Sequence, residues 1–174
     1  MAMQITARTS DRCGEVVLGI DPGLNRTGYA ILSRTAAGPK LVEAGIIRSQ
    51  AERSLAERVL EIGSGLREVI EQYPPDVMAI EQVFTTIKFP KSSILMAHAR
   101  GALLFAAADR GIHVEHYTAA HIKRMLTGSG RAPKAQMQQA VASEQRLRSA
   151  HEPHDVADAC AVALCQCYTQ RRAA

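Results

Sequence analysis

Four carboxylates in this chain stand where chemistry can be assembled. Asp21 ends the apolar run Val16 to Ile20, Glu81 ends the run Val77 to Ile80, and Asp155 and Asp158 lie three residues apart. Each run reads as a buried strand. If the two strands are parallel neighbours, both acids emerge at one sheet edge, where α/β sheets bind their ligands. Asp155 and Asp158 share one face near the start of a predicted helix. Carboxylates that converge repel one another and are costly to desolvate. A hard divalent cation relieves both penalties, and an all-oxygen donor set selects magnesium or manganese over zinc. Singly, each acid has a plainer role as a turn residue, a solvated strand end or a helix-start acid. Their combination with a basic segment favours the metal site.

The elements that must position these acids follow from the apolar pattern. Val16 to Ile20 stops at Asp21-Pro22-Gly23, and Gly28 to Ser33 and Leu41 to Ile47 follow with Gly38-Pro39 between them, which predicts a three-strand meander. Leu55, Val59, Ile62, Leu66 and Val69 recur at helical spacing from Ser54 to about Gln72, where Pro74-Pro75 stops the helix. After the strand at Val77 to Ile80, residues 92 to 109 form an Ala-rich helix that is apolar nearly all round, predicting burial on two sides, within the core or against a partner subunit. His113 to Tyr117 is a short strand. Thr118 caps a helix to Leu126, a basic loop runs to Pro133, and a last helix opens at Pro153 and ends near Thr169. The sum is a mixed-sheet α/β domain over residues 16–170, with a short polar extension at 1–15 and a tail at 171–174.

Net charge is +4 over 174 residues, but it is unevenly placed. Residues 88 to 148 hold 10 basic and 3 acidic side chains, a surplus of +7, against −3 for the remainder. Lys88, Lys91, Arg100, Lys123, Arg124, Arg131 and Lys134 lie in that segment, which suits a polyanion. The first fifteen residues lack the apolar run of a secretory signal, and the apolar stretch at 92 to 108 is broken by His98 and Arg100. A soluble cytoplasmic protein without a membrane partner is expected. Cys13, Cys160, Cys165 and Cys167 show neither zinc-knuckle nor dithiol spacing and read as packing residues.

Leu18-Gly19-Ile20-Asp21-Pro22-Gly23 with Thr27-Gly28-Tyr29, Ala79-Ile80-Glu81-Gln82-Val83-Phe84, Ala99-Arg100-Gly101, the Lys123 to Lys134 segment with its Gly-Ser-Gly loop, and Asp155-Val156-Ala157-Asp158-Ala159 occur in order over most of the chain. Together they resemble the RuvC family of crossover junction endodeoxyribonucleases. The Asp-Pro-Gly turn alone is weakly specific, being shared with actin-like and sugar-kinase-like ATPases. The Ile-Glu-Gln-Val-Phe segment with the late Asp-x-x-Asp pair is strong.

The resemblance implies an RNase H-like fold, a five-stranded mixed sheet of a three-strand meander followed by parallel strands, flanked by helices. It implies a homodimer that makes magnesium-dependent nicks in two opposed strands of a four-way Holliday junction, with two ions per site and manganese able to substitute. Asp21, Glu81 and Asp158 match the family's acids, and Asp155 matches a position that is Asp in some relatives and His in others. His154 and His151 leave room for an imidazole to assist. Phe84 matches a residue that stacks on an unpaired base, with Phe89 a lesser companion. Lys88, Lys91, Arg100, Lys123, Arg131 and Lys134 are expected on backbone phosphates. A junction-migrating helicase complex of RuvA and RuvB is the implied partner.

Phosphodiester hydrolysis needs a nucleophilic water, neutralisation of the phosphorane oxygens and help for the leaving 3′-oxygen, all of which two cations about 4 Å apart can supply. Asp21 is expected to bridge them, with Glu81 on one side and Asp155 and Asp158 on the other. In-line attack then leaves a 5′-phosphate and a 3′-hydroxyl. An ATP-binding module needs a second domain, for which 174 residues lack room. A junction binder that has lost its nuclease predicts a missing acid, and all four are present. A sister nuclease acting on RNA or ordinary duplex stays open, because substrate shape depends on dimer geometry.

Overall fold

The computed structural model describes residues 14–83, 90–144 and 154–171. Cys13, Phe84, Lys88, Phe89, His151 and Pro153 lie outside the described residues, as do most of the N-terminal extension and residues 172–174. Five strands, β1 (Val16–Asp21), β2 (Arg26–Thr35), β3 (Gly38–Arg48), β4 (Val77–Glu81) and β5 (His113–Tyr117), form one sheet in the order β3-β2-β1-β4-β5. The first three are antiparallel neighbours, while β1 with β4 and β4 with β5 are parallel. This is the expected meander followed by parallel strands.

The hairpin is longer than the sequence suggests. Register runs from Arg26 opposite Arg48 out to Thr35 opposite Gly38, so Gly38-Pro39 belongs to β3 rather than to a break. Pro39 is tolerated because β3 is an edge strand, whose outer N–H groups need no partner.

Helices α1 (Leu55–Gln72) and α2 (Pro90–Asp109) cover one face of the sheet, and α5 (His154–Arg171) crosses the other with α3 (Ala119–Thr127) and α4 (Lys134–Glu144) beside it. Ser54 and Glu57 close a reciprocal capping box at the start of α1, and Thr118 accepts from the His121 amide at the start of α3. Strand alternation sorts the core. Leu18, Ile20, Met78 and Ile80 pack towards α1 and α2, whereas Val17, Val77 and Ala79 pack towards α5. The same period of two aims Asp21 and Glu81 at the α5 face. The three described cysteines are buried in α5, and burial pushes the Cys160 thiol up to about 12.

Helix α5 seats on strands that offer it no side chain. A Cβ on Gly19 would stand 2.4 Å from the Ala159 carbonyl oxygen and 2.6 Å from the Ala163 side chain, and one on Gly28 would stand 2.0 Å from the Asp155 carbonyl oxygen. Backbone cannot yield to such overlaps without moving the helix. Gly19→Ala is therefore expected to lower stability by about 1–3 kcal/mol in denaturant unfolding. Its catalytic loss should exceed its stability loss, because the displaced helix carries two of the acids.

Candidate active site

Parallel register places Ile20 opposite Ile80, so the next residues, Asp21 and Glu81, leave the sheet side by side. Asp158 faces them from the first turns of α5. The three acids line an open cleft of about 280 Å³ together with Lys123 of α3 and Lys134 of α4, over an apolar floor that includes Ile122 and Met137. The turn after Asp21 is held by Thr27, whose buried hydroxyl donates to the Gly23 carbonyl at 2.8 Å and accepts from the Gly23 amide at 3.3 Å.

The electrostatics of this group are unfavourable to its own charge. Burial, then the charges of Glu81, Asp158 and Asp155, push the Asp21 carboxyl up to about 8, with Lys134 opposing. Glu81 is raised by burial and by Asp158, with Lys123 opposing. Lysine charges thus offset only part of the repulsion. Lys134 Nζ lies 3.2 Å from Asp158 Oδ2.

Asp155 faces elsewhere. Its Oδ2 lies 2.8 Å from Arg26 Nε, and it is absent from the cleft lining while still raising Asp21 through its charge. Of the two late aspartates, Asp158 is the one that lines the cleft. No three His, Cys, Asp or Glu side chains among the described residues converge closely enough to hold a metal ion as they stand. The donor chemistry nevertheless fits a hard cation, being all oxygen, with burial and the neighbouring carboxylates both disfavouring the charged form of Asp21.

The other expected residues are spread. Lys91 is exposed at the start of α2, and Arg131 is exposed in the loop before α4. Arg100 turns inwards: its Nε donates to the Glu81 carbonyl at 3.2 Å and its Nη2 lies 2.6 Å from His116 Nδ1, bracing the end of β4. His154 is exposed, with Nδ1 2.7 Å from Gln138 Nε2, so its ring is engaged by α4. Arg26 was not among the expected site residues. Its signal is an arginine five positions past Asp21, hidden in a window of net negative charge.

A five-stranded mixed sheet of this order, with acids at the shared end of β1 and β4 and a late acidic helix above them, defines an RNase H-like nuclease architecture. A family model described as crossover junction endodeoxyribonuclease RuvC matches residues 17–166. The chain is 49% identical over 166 residues to the crossover junction endodeoxyribonuclease RuvC of Rhodopirellula baltica (strain DSM 10527 / NCIMB 13988 / SH1), covering 94% of this chain and 91% of that protein. The solved structure of Thermus thermophilus RuvC matches with a TM-score of 0.84 at 28% identity, covering 91% of this chain and 96% of that one. The T. thermophilus RuvC in complex with a Holliday junction substrate matches at 0.83 and 29% over the same shares. The chain belongs to the RuvC family of crossover junction endodeoxyribonucleases.

The raised carboxyls carry a pH signature. A carboxyl whose folded pKa is raised favours the folded state fully only below its unfolded pKa, and that advantage is lost as pH rises towards the folded value. For Asp21 the window runs from about 4 to about 8. In EDTA, Asp21→Asn should melt several degrees above the native protein at pH 8, and the gap should close towards pH 4. Equal melting temperatures across that range would overturn the charge-repulsion account.

Proposed function

We infer that this chain is a structure-selective, metal-dependent endonuclease that resolves four-way Holliday junctions by hydrolysing phosphodiesters in two opposed strands. The observation that carries the reading is the meeting of Asp21, Glu81 and Asp158 in one cleft walled by Lys123 and Lys134, in a chain of the RuvC family. Acids to hold cations and lysines to receive phosphate stand within one opening. That pairing of charges is what phosphodiester hydrolysis needs.

In this reading Asp21, Glu81, Asp158 and Asp155 hold two magnesium ions, with manganese able to substitute. When bound, the ions supply water activation, charge neutralisation on the phosphorane oxygens and stabilisation of the leaving 3′-oxygen. Asp21 sits centrally, between Glu81 on the neighbouring strand and the two aspartates of α5. Lys123 and Lys134 keep positive charge beside the phosphate, and the products are a 5′-phosphate and a 3′-hydroxyl. His154 assists only if its ring leaves Gln138, with which it is engaged on α4. Phe84 stacks on an unpaired base, and Lys88, Lys91 and Arg131 meet the backbone of the arms. Arg100 contributes by bracing the strand end that carries Glu81.

One site per chain requires two copies for paired cutting, so the active form is a homodimer. Support comes from α2, where Ile94, Gly101 and Phe105 fall on one exposed stripe, with Ile94 53% and Phe105 62% exposed. Such a stripe, apolar apart from the exposed His98 between Ile94 and Gly101, is suited to burial against its own copy. The partner on the junction is the RuvA and RuvB migrating complex, and the setting is cytoplasmic. Among the described residues no helix is long and apolar enough to cross a membrane.

The deciding assay is nicking of a synthetic four-way junction against linear duplex in magnesium, manganese, calcium or EDTA. Junction-selective nicks that need magnesium or manganese are expected, and equal cutting of both substrates would overturn the reading. Asp21→Asn should bind the junction like the native protein and cut at least about a hundredfold more slowly; retained nicking in magnesium would remove the metal assignment. Phe105→Glu should sediment as a monomer and lose paired incision, whereas an intact dimer would place the interface elsewhere.

A further inference from the structure

The strand ends beside Asp21 carry cationic groups that the basic middle segment does not include. Arg26 begins β2 and Arg48 ends β3, and the two are directly opposed in the antiparallel ladder. Opposed residues project from the same face with Cβ atoms about 5 Å apart, and like charges so placed destabilise the pair. One carboxylate stands by the pair, and it meets Arg26 alone. Asp155 Oδ2 lies 2.8 Å from Arg26 Nε, yet that buried nitrogen has no aligned hydrogen-bond acceptor, so the contact is ionic and off-axis. Arg48 is exposed and has no partner among the described residues.

Neighbouring arginines on the same rim are differently placed. Arg58 is bound to Asn25 and to Ser49, and Arg53 is paired with Glu61 at 2.9 Å. The opposed pair is therefore a local positive excess next to the carboxylate cluster, on the β2–β3 side of Asp21, while Lys123 stands on the β4 side near Glu81. A guanidinium presents a planar fork of donors that matches a phosphate. Two of them, on rigid strand ends and short of one anion, make a receptor for a phosphate backbone.

We propose that Arg26 and Arg48 form a phosphate clamp for the nucleic-acid strand on the β2–β3 side of the site, and that Asp155 governs Arg26's share in it. While Asp155 neutralises Arg26, Arg48 alone meets the strand. When a divalent cation draws on Asp155, Arg26 is released to a phosphate. The clamp rests on the reading of this cleft as a junction nuclease. It differs from Lys123 in lying on the opposite side of Asp21 and in depending on the cation.

The test is binding of a labelled four-way junction by fluorescence anisotropy between 50 and 200 mM KCl, in EDTA and in calcium, with melting temperatures measured alongside. Arg48→Gln should flatten the log–log salt slope by about one in both buffers and weaken binding about threefold or more at low salt, and Arg48→Lys should restore the slope. Arg26→Gln should flatten the slope by about one in calcium and leave it as in the native protein in EDTA. A native slope for Arg48→Gln overturns the clamp, and an equal loss for Arg26→Gln in both buffers overturns the exchange with Asp155. Arg48 is exposed on an edge strand, so its variants carry the test if Arg26→Gln fails to fold. A native protein that binds junction no better than duplex defeats the functional reading instead, so the two failures are distinguishable.

Discussion

The separation between α5 and the sheet is set by two absent side chains. Gly19 and Gly28 let the helix backbone meet the strands at Ala159, Ala163 and Asp155, with no room for a single methyl group at either position. Everything the site does depends on that distance, because α5 alone brings Asp155 and Asp158 over the strand ends that carry Asp21 and Glu81. The small residues of α5, Ala159, Ala163 and the buried cysteines, are the other half of the fit. A close-packed interior transmits such a constraint rigidly, so side chains remote from the chemistry determine where the carboxylates stand.

The carboxylates themselves are held in an arrangement that costs free energy without a cation. Burial and mutual repulsion raise Asp21 and Glu81, and the chain offsets part of this with its own cations, Lys134 on Asp158 and Arg26 on Asp155. These ion pairs occupy the two aspartates of α5 and leave Asp21 the least compensated of the four. On the proposed reading, stability is thereby traded for a cleft that divalent cations and phosphate would neutralise, as is common where function requires charges of like sign to converge.

Much of this was legible from residue order. Strand, turn and cap signals placed most described elements within a few residues, though not the extent of α4, and the apolar character of α2 pointed to burial on two sides, whereas the helix buries Ala99 and Leu103 and exposes Ile94 and Phe105. The pairing of Asp21 with Glu81 needed only the assumption of parallel neighbours. The reach of the β2–β3 hairpin was not legible, because Gly38-Pro39 signals a break in local terms and only the edge position of β3 makes it tolerable. Arg100 illustrates the same limit. Its charge pointed to phosphate, but its guanidinium turned to a carbonyl on the neighbouring strand.

The sequence by itself determined the identity of the acids, the strands and helix that bear them, and the presence of a basic segment, because period, capping and turn chemistry act over a few neighbouring residues. Tertiary structure decided which charges meet. It set Asp158 in the cleft and Asp155 against Arg26, and it opposed Arg26 to Arg48 across two strands. It also gave Gly19 and Gly28 their purpose. Those outcomes depend on register and on helix-to-sheet distance, which are properties of the packed chain, and no local pattern of residues encodes them.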